Sequence, residues 1–265
     1  MKIIGFSMLR NELKNGNLEN WFKCMEICDY IYIFDQDSDD GSKEYYKQFD
    51  NCVVIESPTN RFEETVFCKQ ELLEKILLDH SDVDWIFWID GDTILDSRLL
   101  KNDGKPIKSL LKSIEEKGYD GLRLGHLNLW RSDTWYRVDD LYDYFDNVGR
   151  VPFWRNNGKL SFDLVYGIHV NQNEMPTGVN NIFDAKQYKL IHRGFATDQS
   201  ILEKYHLYKS KGQTGWALDR MINEEGLTCI QADDKIFPEW YVKKDIEDLG
   251  TKEKLWTILD KSARL

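Results

Sequence analysis

Long hydrophobic runs are missing from this chain. The most apolar stretch, Trp85 to Ile89, falls far short of the ~20 residues a bilayer crossing needs, and the opening MKIIGFSMLR holds no signal-peptide core. A protein without a membrane span or export leader is expected. Cysteine is sparse and unpatterned: Cys24, Cys28, Cys52, Cys68 and Cys229 are odd in number and form no C-x-x-C pair. That argues against a disulfide framework and a zinc knuckle, and it fits a reducing compartment. With 5 Pro and 17 Gly the chain is neither collagen-like nor low in complexity. Cations are outnumbered, 35 Lys plus Arg against 46 Asp plus Glu, for a formal charge of −11. Nucleic acid is therefore a poor partner, since affinity there comes from cations that displace counterions from phosphates. The expected location is cytoplasmic, or peripheral to a membrane.

What is present is a globular composition: 265 residues, 42% hydrophobic and 31% charged. That length suits one α/β domain or two tight lobes. Aromatic residues reach 13%, with 9 Trp and 13 Tyr. Core packing accounts for most such rings, and sugar-stacking surfaces are the alternative.

Lys2 to Phe6 reads as a buried strand, Leu18 to Cys28 as an amphipathic helix, and Tyr30 to Phe34 as a second strand running into DQDSDDGS. Ser42 caps an expected helix through about Phe49, and Cys52 to Ile55 makes a third strand. Phe62, Val66, Leu73, Ile76 and Leu77 mark a further helix, and Trp85 to Ile89 is apolar throughout, as in a strand covered on both faces. Strands alternating with helices argue for a Rossmann-like, mostly parallel sheet flanked by helices. Pro106 and Gly118 frame one more helix. Residues 119–265 read as a looser, smaller α+β lobe with short strands (GLRLGHLNLW, YKLIH), closed by helices at about Asp198 to Ser210 and Thr251 to Leu259.

Ligands of open parallel sheets bind outside the carboxyl ends of the strands. Two such ends are acidic: Asp35, Asp37, Asp39 and Asp40 after the second strand, and Asp90-Gly91-Asp92 after the fourth. Residues two apart in extended chain share a side, so Asp90 and Asp92 are placed to face one ligand. Crowded carboxylates need a counter-charge. A hard divalent cation, Mg²⁺ or Mn²⁺, supplies it and shares substrate phosphates, which points to a diphosphate-bearing guest.

These pieces in this order resemble the glycosyltransferases of the GT-A fold, especially the inverting family two. The opening strand with Arg10, Asn11 and Glu12, the stretch FDQDSDDGS (Phe34 to Ser42) and WIDGDTILD (Trp88 to Asp96) carry the likeness. So do FWRNNGKLSF (Phe153 to Phe162), GIH (Gly167 to His169) and LIHRGF (Leu190 to Phe195) with the Lys/Tyr-rich helix behind it. The resemblance implies one continuous GT-A domain, with residues 1–118 as donor-binding half and 119–265 as acceptor-binding half.

The same resemblance implies a nucleoside-diphosphate-sugar donor, UDP-sugar foremost, and a glycan, lipid-linked or protein acceptor. Asp35 would contact the donor's base or ribose beside Arg10, Asn11 and Glu12. Asp90 would sit by ribose and metal, Asp92 would be the main ligand of Mn²⁺ or Mg²⁺, and His192 would close that site. Arg61 and Lys69 would approach the phosphates, with a helix-surface role the alternative for Lys69. Where relatives carry Glu in a stretch like FEGxVHE, this chain reads FDLVYGIHV. Asp163 is therefore the expected base, with His169, Asp139 and Asp140 as alternatives. Two other readings stay open: a haloacid-dehalogenase-like phosphatase with Asp90 as nucleophile, and a noncatalytic carbohydrate- or nucleotide-binding protein.

Overall fold

The structure is a computed structural model that describes residues 1–139, 148–166, 175–212, 214, 216–222 and 228–241. The expected helix at Thr251 to Leu259 lies outside the described residues.

Among the described residues there are ten strands: β1 (Ile3–Leu9), β2 (Tyr30–Gln36), β3 (Cys52–Ser57), β4 (Trp85–Trp88), β5 (Thr93–Leu95), β6 (Gly121–Asn128), β7 (Trp135–Arg137), β8 (Arg150–Arg155), β9 (Ile182–His192) and β10 (Cys229–Gln231). The helices are α1 (Leu18–Met25), α2 (Ser42–Tyr46), α3 (Thr65–Asp79), α4 (Ser97–Glu116), α5 (Asp198–Ser210) and α6 (Trp216–Ile222). One eight-stranded sheet runs in the order β3-β2-β1-β4-β8-β6-β9-β5, and β10 pairs with β7 in a small second sheet. The β3–β2, β2–β1, β1–β4 and β6–β9 pairings are parallel. The β4–β8, β6–β8 and β5–β9 pairings are antiparallel. The second half of the chain thus lends β8, β6 and β9 to the main sheet, and β7 and β10 stand apart.

Period-two alternation divides the core between the two faces of the sheet. Ile3 and Leu9 of β1 and Trp85 and Phe87 of β4 join the cluster under α1 and α4, with Trp21, Leu111 and Ile114. Ile4 and Phe6 of β1 and Ile86 and Trp88 of β4 join the other, with Val66, Leu72 and Ile76 of α3. Both faces are covered, so these strands show no polar alternation. Gly5 lets α1 lie close, because a Cβ there would stand 2.8 Å from both Cys28 Sγ and Met25 Sδ.

Some boundaries shift from expectation. Gly41, at φ 91°, caps α2, which ends at Tyr46 rather than near Phe49. Helix α4 is broken at Lys101 to Gly104, where Asn102, Asp103 and Gly104 have positive φ, and Pro106 falls just after the break, where a helix start tolerates it. Thr197 and Ser200 form a reciprocal capping box that starts α5.

Candidate functional site

In this strand order the parallel sheet reverses direction of build between β1 and β4, and a crevice opens at such a point outside the strand ends. Glu12 follows β1 and Asp90-Gly91-Asp92 follow β4, so both motifs reach that crevice. They touch there: a Cβ on Gly91 would stand 2.8 Å from Glu12 Oε1 and 2.7 Å from Leu9 Cδ2, so the turn is tight against Glu12.

β5 begins one residue after Asp92 and runs antiparallel to the end of β9, with Thr93 opposite His192. This register sets His192 beside Asp92, and the Arg193 amide donates to the Asp92 carbonyl at 2.8 Å. His192 Nε2 stands 3.2 Å from Asp92 Oδ2. Lys204 of α5 donates from Nζ to the same oxygen at 3.0 Å. Gly194 forms the wall between them. A Cβ there would overlap Lys204 Nζ and lie 2.5 Å from His192 Nε2. Asp90 takes a different cation, accepting from Arg150 at the start of β8 at 2.8 Å.

The charges respond to this packing. Burial pushes the Asp92 carboxyl up, but His192 and Lys204 overcome that and hold it well below the usual carboxylate range. Burial works against the charge of Lys204, and Asp92 raises its ammonium above the ordinary lysine value. Glu12 is less well compensated, since Asn17 and Lys204 offset only part of what burial and Asp92 do to it. Burial and then the negative charge of Asp92 lift its carboxyl to about 8. His126, whose ring is tilted 43° to that of His192 with centroids 5.5 Å apart, is driven well below the ordinary imidazole value by burial, then by Arg150. It is a neutral neighbour.

Among the described residues, no three His, Cys, Asp or Glu side chains are gathered as a metal centre would gather them. Asp92 and His192 are gathered as a pair. His192 Nδ1 lies 2.8 Å from Asn128 Oδ1, so Nδ1 carries the proton in that contact. Nε2 then meets the carboxylate either as imidazolium or through a cation between them. Two adjacent ligands about 2.1 Å from one ion stand about 3 Å apart, close to the separation seen. The pair is therefore spaced as two ligands of one divalent cation would be, with Lys204 holding one of its oxygens.

The remaining expected residues divide. Asp35 is fully buried at the end of β2; its Oδ1 accepts from the Ser38 amide at 2.9 Å and its Oδ2 has no hydrogen-bond partner among the described residues. Arg10 donates to the Gln36 carbonyl at 3.1 Å, and Asn11 pairs reciprocally with Asp39, at 2.9 Å each way. Asp40 accepts from the Lys14 amide, so much of the acidic loop ties the β1 and β2 ends together. Arg61 is engaged by Glu64 and Glu71, with its guanidinium 5.4 Å above the Phe34 ring. Lys69 is not on a helix surface: it is 3% exposed, with Nζ 3.9 Å above the Trp88 ring.

No contact joins Asp163 to this cluster among the described residues. It is exposed and lines a separate pocket with Met175 to Asn180. Asp139 braces the small sheet, accepting from Arg137 at 2.7 Å and from the Thr228 amide at 3.2 Å. His169 and Asp140 lie outside the described residues.

Sequence reasoning missed Lys204, Arg150, Asn128 and Gly194 as members of the site. Two of them left a signal: Gly194 lies within LIHRGF, and Lys204 shares one helix face with Ile201 and Tyr208.

No family model matches the chain, and no curated protein sequence does either. Among solved structures it is similar to a glycosyltransferase involved in the glycosylation of the major capsid of PBCV-1, at 16% identity and a TM-score of 0.33, over 60% of this chain and 61% of that one. It is also similar to A197 from STIV (10%, TM-score 0.34, 72% and 85%) and to a mycobacterial protein (12%, TM-score 0.43, 95% and 88%). At these scores none of the three transfers a chemistry to this chain. Among the described residues no helix is long and apolar enough to cross a membrane.

Proposed function

We propose that this chain is a metal-dependent glycosyltransferase that moves a hexosyl group from a nucleoside-diphosphate-sugar, UDP-sugar first among them, to a hydroxyl of a glycan, lipid-linked or protein acceptor, with inversion. The observation that carries this reading is the convergence of Glu12, Asp90, Asp92, His192 and Lys204 on the crevice between β1 and β4. Asp35 supports it from the neighbouring strand end. A buried carboxylate oxygen without a donor suits the N–H or hydroxyl groups of a base or ribose.

In the transfer, the bond from sugar C1 to the diphosphate oxygen breaks and its electron pair leaves with the phosphate. The acceptor oxygen bonds to C1 and gives up its proton. Asp92 and His192 would hold a divalent ion, which supplies Lewis-acid neutralisation of the leaving diphosphate. Asp90, held by Arg150, would sit by the donor's ribose and the metal. Asp163 or His169 is proposed to take the acceptor proton.

The test is to incubate the protein with Mn²⁺ and UDP-, GDP- and TDP-sugars and follow nucleoside diphosphate release. Slow donor hydrolysis, abolished by Asp92→Asn, is the expected result. Binding without turnover would make the protein a noncatalytic binder, and phosphate release from simple esters would make it a phosphatase.

A further inference from the structure

Two carboxylates of the crevice are already matched by cations of the chain itself: Asp90 by Arg150 and Asp92 by Lys204. The second of these pairs is the informative one. Lys204 Nζ and His192 Nε2 meet the same atom, Asp92 Oδ2, at 3.0 and 3.2 Å, and a metal held by Asp92 must use or share that oxygen. The arrangement is built into the backbone. Gly194 leaves no room for a Cβ between the two groups, and the capped start of α5 fixes the helix turn from which Lys204 projects. Lys204 is also only partly covered, its side chain 26% exposed, and it ends in a flexible point charge that swings readily.

We infer that Lys204 is an exchangeable counter-ion of Asp92, which occupies the carboxylate when the crevice is empty and moves to the donor's diphosphate when a divalent cation takes Oδ2. This rests on the reading of the site as a nucleotide-sugar site and adds a diphosphate-binding residue to it. Two effects of opposite sign follow. Removing the ammonium frees Oδ2 and strips a positive charge from beside the cation, so Mn²⁺ alone binds more tightly. The same change removes a cation from the phosphates, so a nucleoside diphosphate binds more weakly. A lysine that merely props the fold would weaken both.

The experiment is calorimetric titration of the wild-type chain and of Lys204→Met, Lys204→Gln and Lys204→Arg. Each is titrated with Mn²⁺ alone and then, at saturating Mn²⁺, with UDP, GDP and TDP in turn. The Gln variant keeps a hydrogen-bond donor for Asp92 and guards against misfolding in the Met variant, and melting temperatures without ligand are read alongside. The expected result for Met and Gln is Mn²⁺ affinity raised on the order of tenfold and diphosphate affinity lowered on the order of tenfold or more, with Arg within a few-fold of wild type for the diphosphate. Unchanged affinities, or a joint fall in both with a lowered melting temperature, would overturn the inference while leaving the nucleotide-sugar reading in place. Failure of the wild type itself to bind any of the three diphosphates would overturn both.

Discussion

Thr93 stands opposite His192 in the β5–β9 ladder, and that single register brings the acidic turn after β4 to the side of an imidazole far along the chain. Everything at the centre of the crevice depends on it. A slip of one residue would turn His192 to the other face of the sheet and leave Asp92 with Lys204 alone.

The orientation of His192 in turn rests on Asn128, its register partner in β6, whose Oδ1 lies 2.8 Å from Nδ1. Asn128→Ala is expected to weaken Mn²⁺ binding by about 10- to 100-fold, the usual effect of removing a group that orients a ligand. Metal titration of the variant is the check. An unchanged Mn²⁺ affinity would remove His192 from the proposed ligand pair.

Asp35 allows fold and binding to be separated. Its Oδ2 is buried without a hydrogen-bond partner among the described residues, so Asp35→Asn sacrifices no protein contact at that atom. Stability in urea should change little. Nucleoside diphosphate affinity should fall about 10- to 100-fold, as when a buried donor of the ligand loses its acceptor. A large loss of stability with affinity intact would make Asp35 purely structural.

Gly194→Ala places a methyl group 2.5 Å from His192 Nε2 and against Lys204. Forced displacement of packed groups costs about 1–3 kcal/mol. The variant should unfold at lower urea and bind Mn²⁺ differently from wild type. A variant matching wild type in both assays would show that the wall between the two groups has slack.

Glu12 gives the pH signature. Its carboxyl sits at about 8 in the folded chain, against 4.5 as the ordinary value, because burial and Asp92 oppose its charge. The folded state thus binds that proton more tightly than the unfolded state. Its contribution to stability is full below pH 4.5, is lost as pH rises through about 8, and is flat above. Glu12→Gln should remove this decline. Urea midpoints from pH 5 to 9 test it, and parallel profiles for the two proteins would contradict it.

The parallel half of the fold was legible because β1, β2 and β4 are apolar at nearly every position and are spaced by helices of clear period. The acidic strand ends could be placed for the same reason. What could not be read was partnership across the chain. Asp90 and Asp92 look equivalent in D-G-D, yet β8 delivers Arg150 to one and α5 delivers Lys204 to the other. Nothing in local spacing encodes an antiparallel β8 beside β4. Lys69 shows a related gap: a lysine at a helix position reads as solvent-facing, whereas here its ammonium lies over the rings of Trp88 and Phe162 from other parts of the chain. Asp39 and Asp40 read as potential ligands in an acidic run, while the structure uses them as caps and clasps for the loop after β1.

The most direct test of the central claim is anomalous diffraction at the manganese edge from crystals of the protein grown with Mn²⁺ and UDP, GDP or TDP. The account predicts one manganese peak between Asp92 Oδ2 and His192 Nε2, with diphosphate oxygens completing its shell. A manganese bound elsewhere, or nucleotide and metal both absent from the crevice between β1 and β4, would contradict it.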